Sequence, residues 1–328
     1  MCTAILARAG DGYFGRNLDF ESDFGEKIVV VPRNFGFTFR SGREIKNHHA
    51  IVGMAVVDNG YPLFFDAINE AGLGIAGLRF AGNAEFKKAV SGKDNVASYE
   101  FISWVLTNCA SVDEAESFLS NANITDDAYS AEMPPSPLHW IIADNKRALT
   151  VEQTKSGLKI YENNVGVLTN NPEFSVQIQN LTNYMNLSAK EPTNLFSEKL
   201  YMKPYSRGMG AIGLPGDYSS MSRFVKACFI CENSVYSSIE SEVVNHFFHT
   251  LYAVYQQKGC VQVQGGYEIT NYTSCCNLSK GIYYYTTYNN SCINAIDMHK
   301  EYLNGDRLAV YELLTASKIV VQNQYKKR

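Results

Sequence analysis

The sequence predicts a mixed fold, α+β or α/β, and three observations carry that expectation. Short apolar runs separated by turn signals fill the first 80 residues. Stretches with apolar residues at helical spacing follow them. A second group of strands, a second group of helices and a last group of strands complete the order.

Residues 2–8 read as a buried strand, Asp11-Gly12 as a hairpin turn, and residues 13–19 as the returning strand. Residues 27–32, 35–40, 51–57, 64–69 and 73–80 read as further strands, and the first 80 residues are expected to form an antiparallel sheet of consecutive strands. Phe101, Ile102, Val105 and Leu106 then fall at helical spacing within residues 99–109. Ser111-Val112-Asp113-Glu114 is a capping box that opens a helix to about Asn121. Met133-Pro134-Pro135-Ser136-Pro137 reads as a rigid extended loop. Residues 138–144 and 149–153 make a hairpin, 158–161 and 165–169 continue the sheet, and a helix starts from Glu173.

Residues 186–219 are polar, rich in turns and without periodicity, which marks a protruding or assembly segment. Helices follow at 222–231 and 239–257, the second with Val244, Phe248, Leu251 and Tyr255 on one face. Strands at 267–276, 282–287 and 293–298 close the order, and Lys326-Lys327-Arg328 reads as a frayed tail. No linker or repeat divides the chain, so residues 1–328 are expected to form one domain.

The chain holds 328 residues with 45% hydrophobic content, enough for a large core. A net charge of −4 gives no reason to expect nucleic acid or an anionic membrane as partner. The start shows no charged and then apolar leader, and the apolar runs are too short to span a bilayer. A cytoplasmic chain with reduced cysteines is the expectation.

The chemistry centres on Cys2, which directly follows Met1. With Met1 removed, Cys2 carries a thiol and a free α-amine on one residue. Free α-amines titrate at about 7.7–8.0 and free thiols at about 8.5, so both groups work near neutral pH. The amine can then serve as base for its own side chain. The hairpin brings Arg16 and Asp19 back to the strand end where Cys2 sits, a cation for the sulfur and a carboxylate for the amine.

The segments MCTAI, FGRNLDF, NGYPLFFDAINEAGLGIAGL, PLHWIIAD, GVLTNNPEF, GAIGLPGDYSS, SRFVKA and YYYTTYNN…INAID fall in order from residue 1 to about 300. They resemble the choloylglycine hydrolase family, which contains conjugated bile salt hydrolases and penicillin V acylases. The resemblance implies an α+β fold, the four-layer αββα sandwich of N-terminal nucleophile hydrolases. It implies that the Asn170 side-chain amide and the Arg79 backbone N–H face an oxyanion, and that Arg223 belongs to the cluster around Cys2. The implied reaction is cleavage of glycine- or taurine-conjugated bile salts through a Cys2 thioester, without a metal or organic cofactor, in a homotetramer. Penicillin V is the alternative substrate, and an inactive metal-binding or interaction protein the alternative of a different class.

Arg79 departs from the family, where many bile salt hydrolases carry Asn and many penicillin V acylases Tyr. The substrate pocket is expected from the loop after Asp19, the stretch Tyr61-Pro62-Leu63-Phe64 and residues 133–137. Two metal-like spacings, Cys228-x-x-Cys231 and His246-x-x-His249, are set aside. The cysteines lie in an apolar helical stretch, and the histidines lie opposite the apolar stripe of their helix. His48-His49 is placed in a polar loop.

Overall fold

The computed structural model describes residues 1–323. Fourteen strands form its two large antiparallel sheets. In chain order they are β1 (Cys2–Ala9), β2 (Asp11–Phe20), β3 (Lys27–Val31), β4 (Ile51–Asp58), β5 (Tyr61–Asn69), β6 (Gly74–Arg79) and β7 (Leu138–Ala143). Then come β8 (Ala148–Thr154), β9 (Gly157–Glu162), β10 (Val167–Leu168), β11 (Ile269–Asn277), β12 (Ile282–Thr287), β13 (Asn290–Asp297) and β14 (Ala309–Glu312). The six-stranded sheet runs β10-β1-β2-β11-β12-β13, and the eight-stranded sheet runs β9-β8-β7-β6-β5-β4-β3-β14.

Two apolar cores explain why the strands stack. Ile28 and Val30 join one buried cluster and Val29 and Val31 the other, because side chains alternate across a strand. Ala76 and Leu78 likewise separate from Ile75, and Ile141 and Ala143 from Trp140 and Ile142. These strands are therefore buried on both faces, which is why they read as unbroken apolar runs. One core lies between the sheets and takes in α4 (Ser220–Asn233) and α5 (Glu240–Tyr252) through Phe224, Ala227, Val244, Phe247, Phe248 and Leu251. The other takes in α1 (Phe101–Asn108) and α2 (Val112–Leu119) through Phe101, Val105, Leu106, Ala115 and Leu119. The layers are thus α, β, β, α. The short α3 (Phe174–Leu181) follows β10 and packs Phe174 beside Phe224.

Local reading holds for α2, whose Ser111 hydroxyl accepts from the Glu114 N–H, while Glu114 Oε2 accepts from the Ala110 N–H. Other expectations are corrected. The first 80 residues do not make one sheet, since β1 and β2 belong to the six-stranded sheet and β3 to β6 to the other. The first turn is centred on Gly10 at φ +80°, with Ala9 opposite Asp11, rather than on Asp11-Gly12. The expected strand at 35–40 shrinks to Phe37–Thr38, paired with Glu44–Ile45 in a two-stranded ribbon. Residues 158–161 and 165–169 also part, β9 joining the eight-stranded sheet and β10 the edge beside β1. Strand β14, which closes the edge beside β3, has no counterpart in the sequence reading. The tail Lys326-Lys327-Arg328 lies outside the described residues.

Candidate active site

Cys2 opens β1 on the inner edge of the sandwich, buried at the strand end. The β1–β2 register sets Cys2 opposite Leu18 and Ala4 opposite Arg16. The strands therefore carry Arg16 and Asp19 to the end where Cys2 lies. Both are fully buried.

The Arg16 guanidinium donates to Cys2 Sγ, to Gly77 O at 2.5 Å and Phe65 O at 3.2 Å, and to Asn17 O. β5 and β6 pair from Asp66–Ala76 to Ile68–Gly74, which leaves the Phe65 and Gly77 carbonyls to Arg16. Burial works against the Arg16 charge, yet the neighbouring Cys2, Tyr272, Asp66 and Asp19 raise its pKa above the ordinary value. Asp66 is itself buried and accepts from Tyr272 Oη at 2.5 Å, Tyr283 Oη at 2.7 Å and Ser274 Oγ at 3.0 Å. Burial raises its pKa against the pull of Arg16.

Asp19 Oδ1 accepts from Thr270 Oγ1 at 2.6 Å, while its Oδ2 is buried without a partner. Burial raises the Asp19 pKa, with Arg223 and the chain's amine pulling the other way. The Met1 amine donates to Asp19 O at 2.7 Å. Burial lowers its pKa below the ordinary α-amine value.

Asn170 is the junction between the two sheets. Its Oδ1 accepts from the Cys2 N–H at 2.8 Å and from Arg223 Nη2 at 2.7 Å, and its Nδ2 donates to Arg79 O at 2.8 Å. Its own N–H donates to Oγ of Ser220, the first residue of α4. Arg223, one turn further along α4, also donates to Cys2 O, Thr3 Oγ1 and Tyr218 O. Burial lowers its pKa against the pull of Asp19 and Cys2. Beneath Asn170, His139 Nε2 donates to Thr169 O and Nδ1 meets Glu152 Oε1, both at 3.0 Å.

Arg79 ends β6 with an exposed side chain, its guanidinium 5.9 Å from the Phe20 ring centroid. The Phe80 N–H donates to Pro137 O, so the Arg79–Leu138 pair is a non-bonded position of the ladder. The Arg79 N–H and C=O therefore point away from β7, to the side where Asn170 reaches the carbonyl. The five other expected residues, Arg16, Asp19, Arg79, Asn170 and Arg223, gather around Cys2, Arg79 by its backbone alone. Sequence reading missed Thr3, Ser220, Thr270, Ser274 and Asp66, which hold those six in place.

The mouth is aromatic. Phe24 lies 4.7 Å from Phe20 and 5.5 Å from Phe65. Phe65 takes the place expected for Tyr61 and Phe64, which turn into the core under α1 and α2. The metal-like spacings do not converge: Cys228 is buried on α4, where burial lifts its pKa, and His246 packs on Tyr236 while His249 is exposed. His48 lies in the loop, as expected, but its ring is buried and bonded to Phe35 O and His49 O. Among the described residues no three His, Cys, Asp or Glu side chains gather as a metal site.

A four-layer αββα sandwich whose first strand lies inside one of the two facing sheets is the fold of the N-terminal nucleophile hydrolases. The model of the choloylglycine hydrolase family, linear amide C–N hydrolases, matches residues 2–311. The chain belongs to that family. It is 46% identical over 324 residues to a bile salt hydrolase/transferase of Lactiplantibacillus plantarum, covering 98% of this chain and 100% of the relative. It is 39% identical over 318 residues to a bile salt hydrolase/transferase of Clostridium perfringens, covering 95% and 97%. The crystal structure of the C2A mutant of conjugated bile acid hydrolase from Clostridium perfringens superposes with a TM-score of 0.91 at 37% identity, over 98% of this chain and 100% of that one. Penicillin V acylase from Agrobacterium tumefaciens shares the fold, with a TM-score of 0.76 at 18% identity over 96% and 94%.

Proposed function

We propose that this chain hydrolyses glycine- and taurine-conjugated bile salts, releasing the bile acid and the amino acid through a Cys2 thioester. The observation that carries the reading is the convergence of Arg16, Asn170 and Arg223 on the backbone and sulfur of one buried residue, Cys2. In the mature chain Met1 is gone and the Cys2 α-amine takes the thiol proton. The sulfur, held by Arg16, attacks the amide carbonyl. The second Nδ2 proton of Asn170 and the Arg79 N–H meet the developing oxyanion. The ammonium, oriented by Asp19, protonates the leaving nitrogen, and water then cleaves the thioester. Arg223 fixes Asn170 and Cys2 O and adds positive charge. The Phe20, Phe24 and Phe65 faces give the apolar steroid a wall. Residues 2–328 act as one cytoplasmic domain, in a homotetramer built partly through 186–219.

The test is turnover of glycocholate, taurocholate and penicillin V side by side, with intact mass. Both conjugates should be cleaved by a chain that begins at Cys2, and Cys2→Ser should lose nearly all turnover while folding. Faster cleavage of penicillin V would assign the acylase activity instead. Full activity with Met1 attached would refute the amine as base.

A further inference from the structure

Met1 is the residue the mechanism discards, and its amine marks a site that the mechanism leaves unassigned. That amine is held by Asp19 O at 2.7 Å and by the Glu268 carboxylate. Glu268 is 5% exposed, and apart from this ion pair its Oε1 has no hydrogen-bond partner. The main chain fixes its position: the Glu268 N–H donates to Val261 O at 2.9 Å, and Ile269 next to it pairs with Phe20. Loss of Met1 therefore removes the cation that this carboxylate faces and opens the place to another.

Two cations compete for the place. One is the Cys2 α-ammonium, but that nitrogen already donates to Asn170 Oδ1, and the buried, unpartnered Asp19 Oδ2 is available to it. The other is the amine that leaves the substrate. Met1 pairs with Asp19 through both of its main-chain groups and so continues β1, which sets its nitrogen one residue step from the Cys2 nitrogen. An ammonium bound there lies beside the amine that hands its proton to the leaving group.

We propose that Glu268 and the Asp19 carbonyl form an ammonium subsite that receives the small primary amine as it is released. This rests on the reading of Cys2 as the nucleophile. The Glu268 charge favours protonation of the leaving nitrogen, and the subsite then holds the free amine until it departs.

The test uses the full chain with Met1 removed, checked by intact mass, and follows alkylation of Cys2 by iodoacetamide at constant ionic strength. Ethylammonium should slow alkylation, while N-ethylacetamide and tetramethylammonium should not. In Glu268→Gln the ethylammonium concentration giving half protection should rise at least about tenfold, as expected for loss of one charge-assisted hydrogen bond. Glu268→Asp should fall between, and keeps the test informative should the Gln variant not fold. Chains that retain Met1 should show no ethylammonium effect. Equal protection of wild type and Glu268→Gln, or protection by N-ethylacetamide, overturns the subsite. The readout needs no bile salt, so a failed substrate assignment is seen separately in the turnover assay.

Discussion

Arg79 separates what a backbone does from what a side chain does at one position. Its carbonyl is tied to Asn170 at 2.8 Å, whereas its guanidinium is exposed over Phe20. Arg79→Asn should therefore change the ranking of glycine conjugates, taurine conjugates and penicillin V while turnover on the best substrate survives. A uniform loss of roughly 10²–10³ on all three, the size expected for a lost oxyanion donor, would make the side chain itself catalytic. Glu26 sits below the same mouth, where Oε2 accepts from the Phe24 N–H and Oε1 is buried without a partner. Burial pushes its pKa up to about 7, from the ordinary carboxylate range. The folded chain thus keeps a proton that the unfolded chain has released, and stability falls as pH rises from about 4.3 to about 7. Glu26→Gln, which mimics the protonated form, should gain about 2–4 °C in Tm at pH 8 and nothing at pH 4. Melts showing the same gain at both pH values would refute the sign. At this scale the sequence made Arg16 and Asp19 legible because hairpin register places them. Asn170, Arg79 and Arg223 came from motifs alone. Glu268, Thr270 and Ser274 gave no signal, since β2 meets β11 only after some 250 residues of intervening chain.

The β2–β11 pairing carries the catalytic strand, and Gly15 is its narrowest point. A Cβ there would meet Ser274 O at 2.1 Å and Cys275 Cα at 2.9 Å, both main chain. Gly15→Ala would push the strands apart beside the bond from the Arg16 N–H to Ser274 Oγ. The expected cost is about 1–3 kcal/mol, read as a Tm loss of several degrees or as failure to fold. Gly216→Ala is the control, because no atom lies within 4 Å of its added Cβ; an equal loss there would refute the close-approach argument. Most strands and all the main helices were readable from apolar runs and caps. Which sheet each strand joined was not, because period-2 patterning vanishes in strands buried on both faces. The short β10 shows this: two residues beside β1, not a continuation of β9, bring Asn170 to Cys2.

At the scale of the whole molecule, the segment 186–219 packs sparsely on its own chain. Its base is anchored where Gly210 lies against Lys190 O and the Ser188 N–H donates to Gly210 O. Beyond that anchor Leu195, Phe196, Tyr201 and Tyr205 are each more than 80% exposed. Isolated exposed apolar side chains are ordinary, but this many within eleven residues form a patch that monomers rarely present to water. Burial of that patch by another copy is the simplest way to remove it, and this is the basis for the proposed assembly contact. The double variant Phe196→Asp/Tyr201→Asp should put charge into the contact and lower the mass measured by light scattering from an oligomer to smaller species. Its far-UV spectrum should be unchanged, since neither ring contributes to a core. Wild-type protein that is monomeric at micromolar concentration, or a variant whose mass equals that of the wild-type oligomer, would remove 186–219 from the assembly.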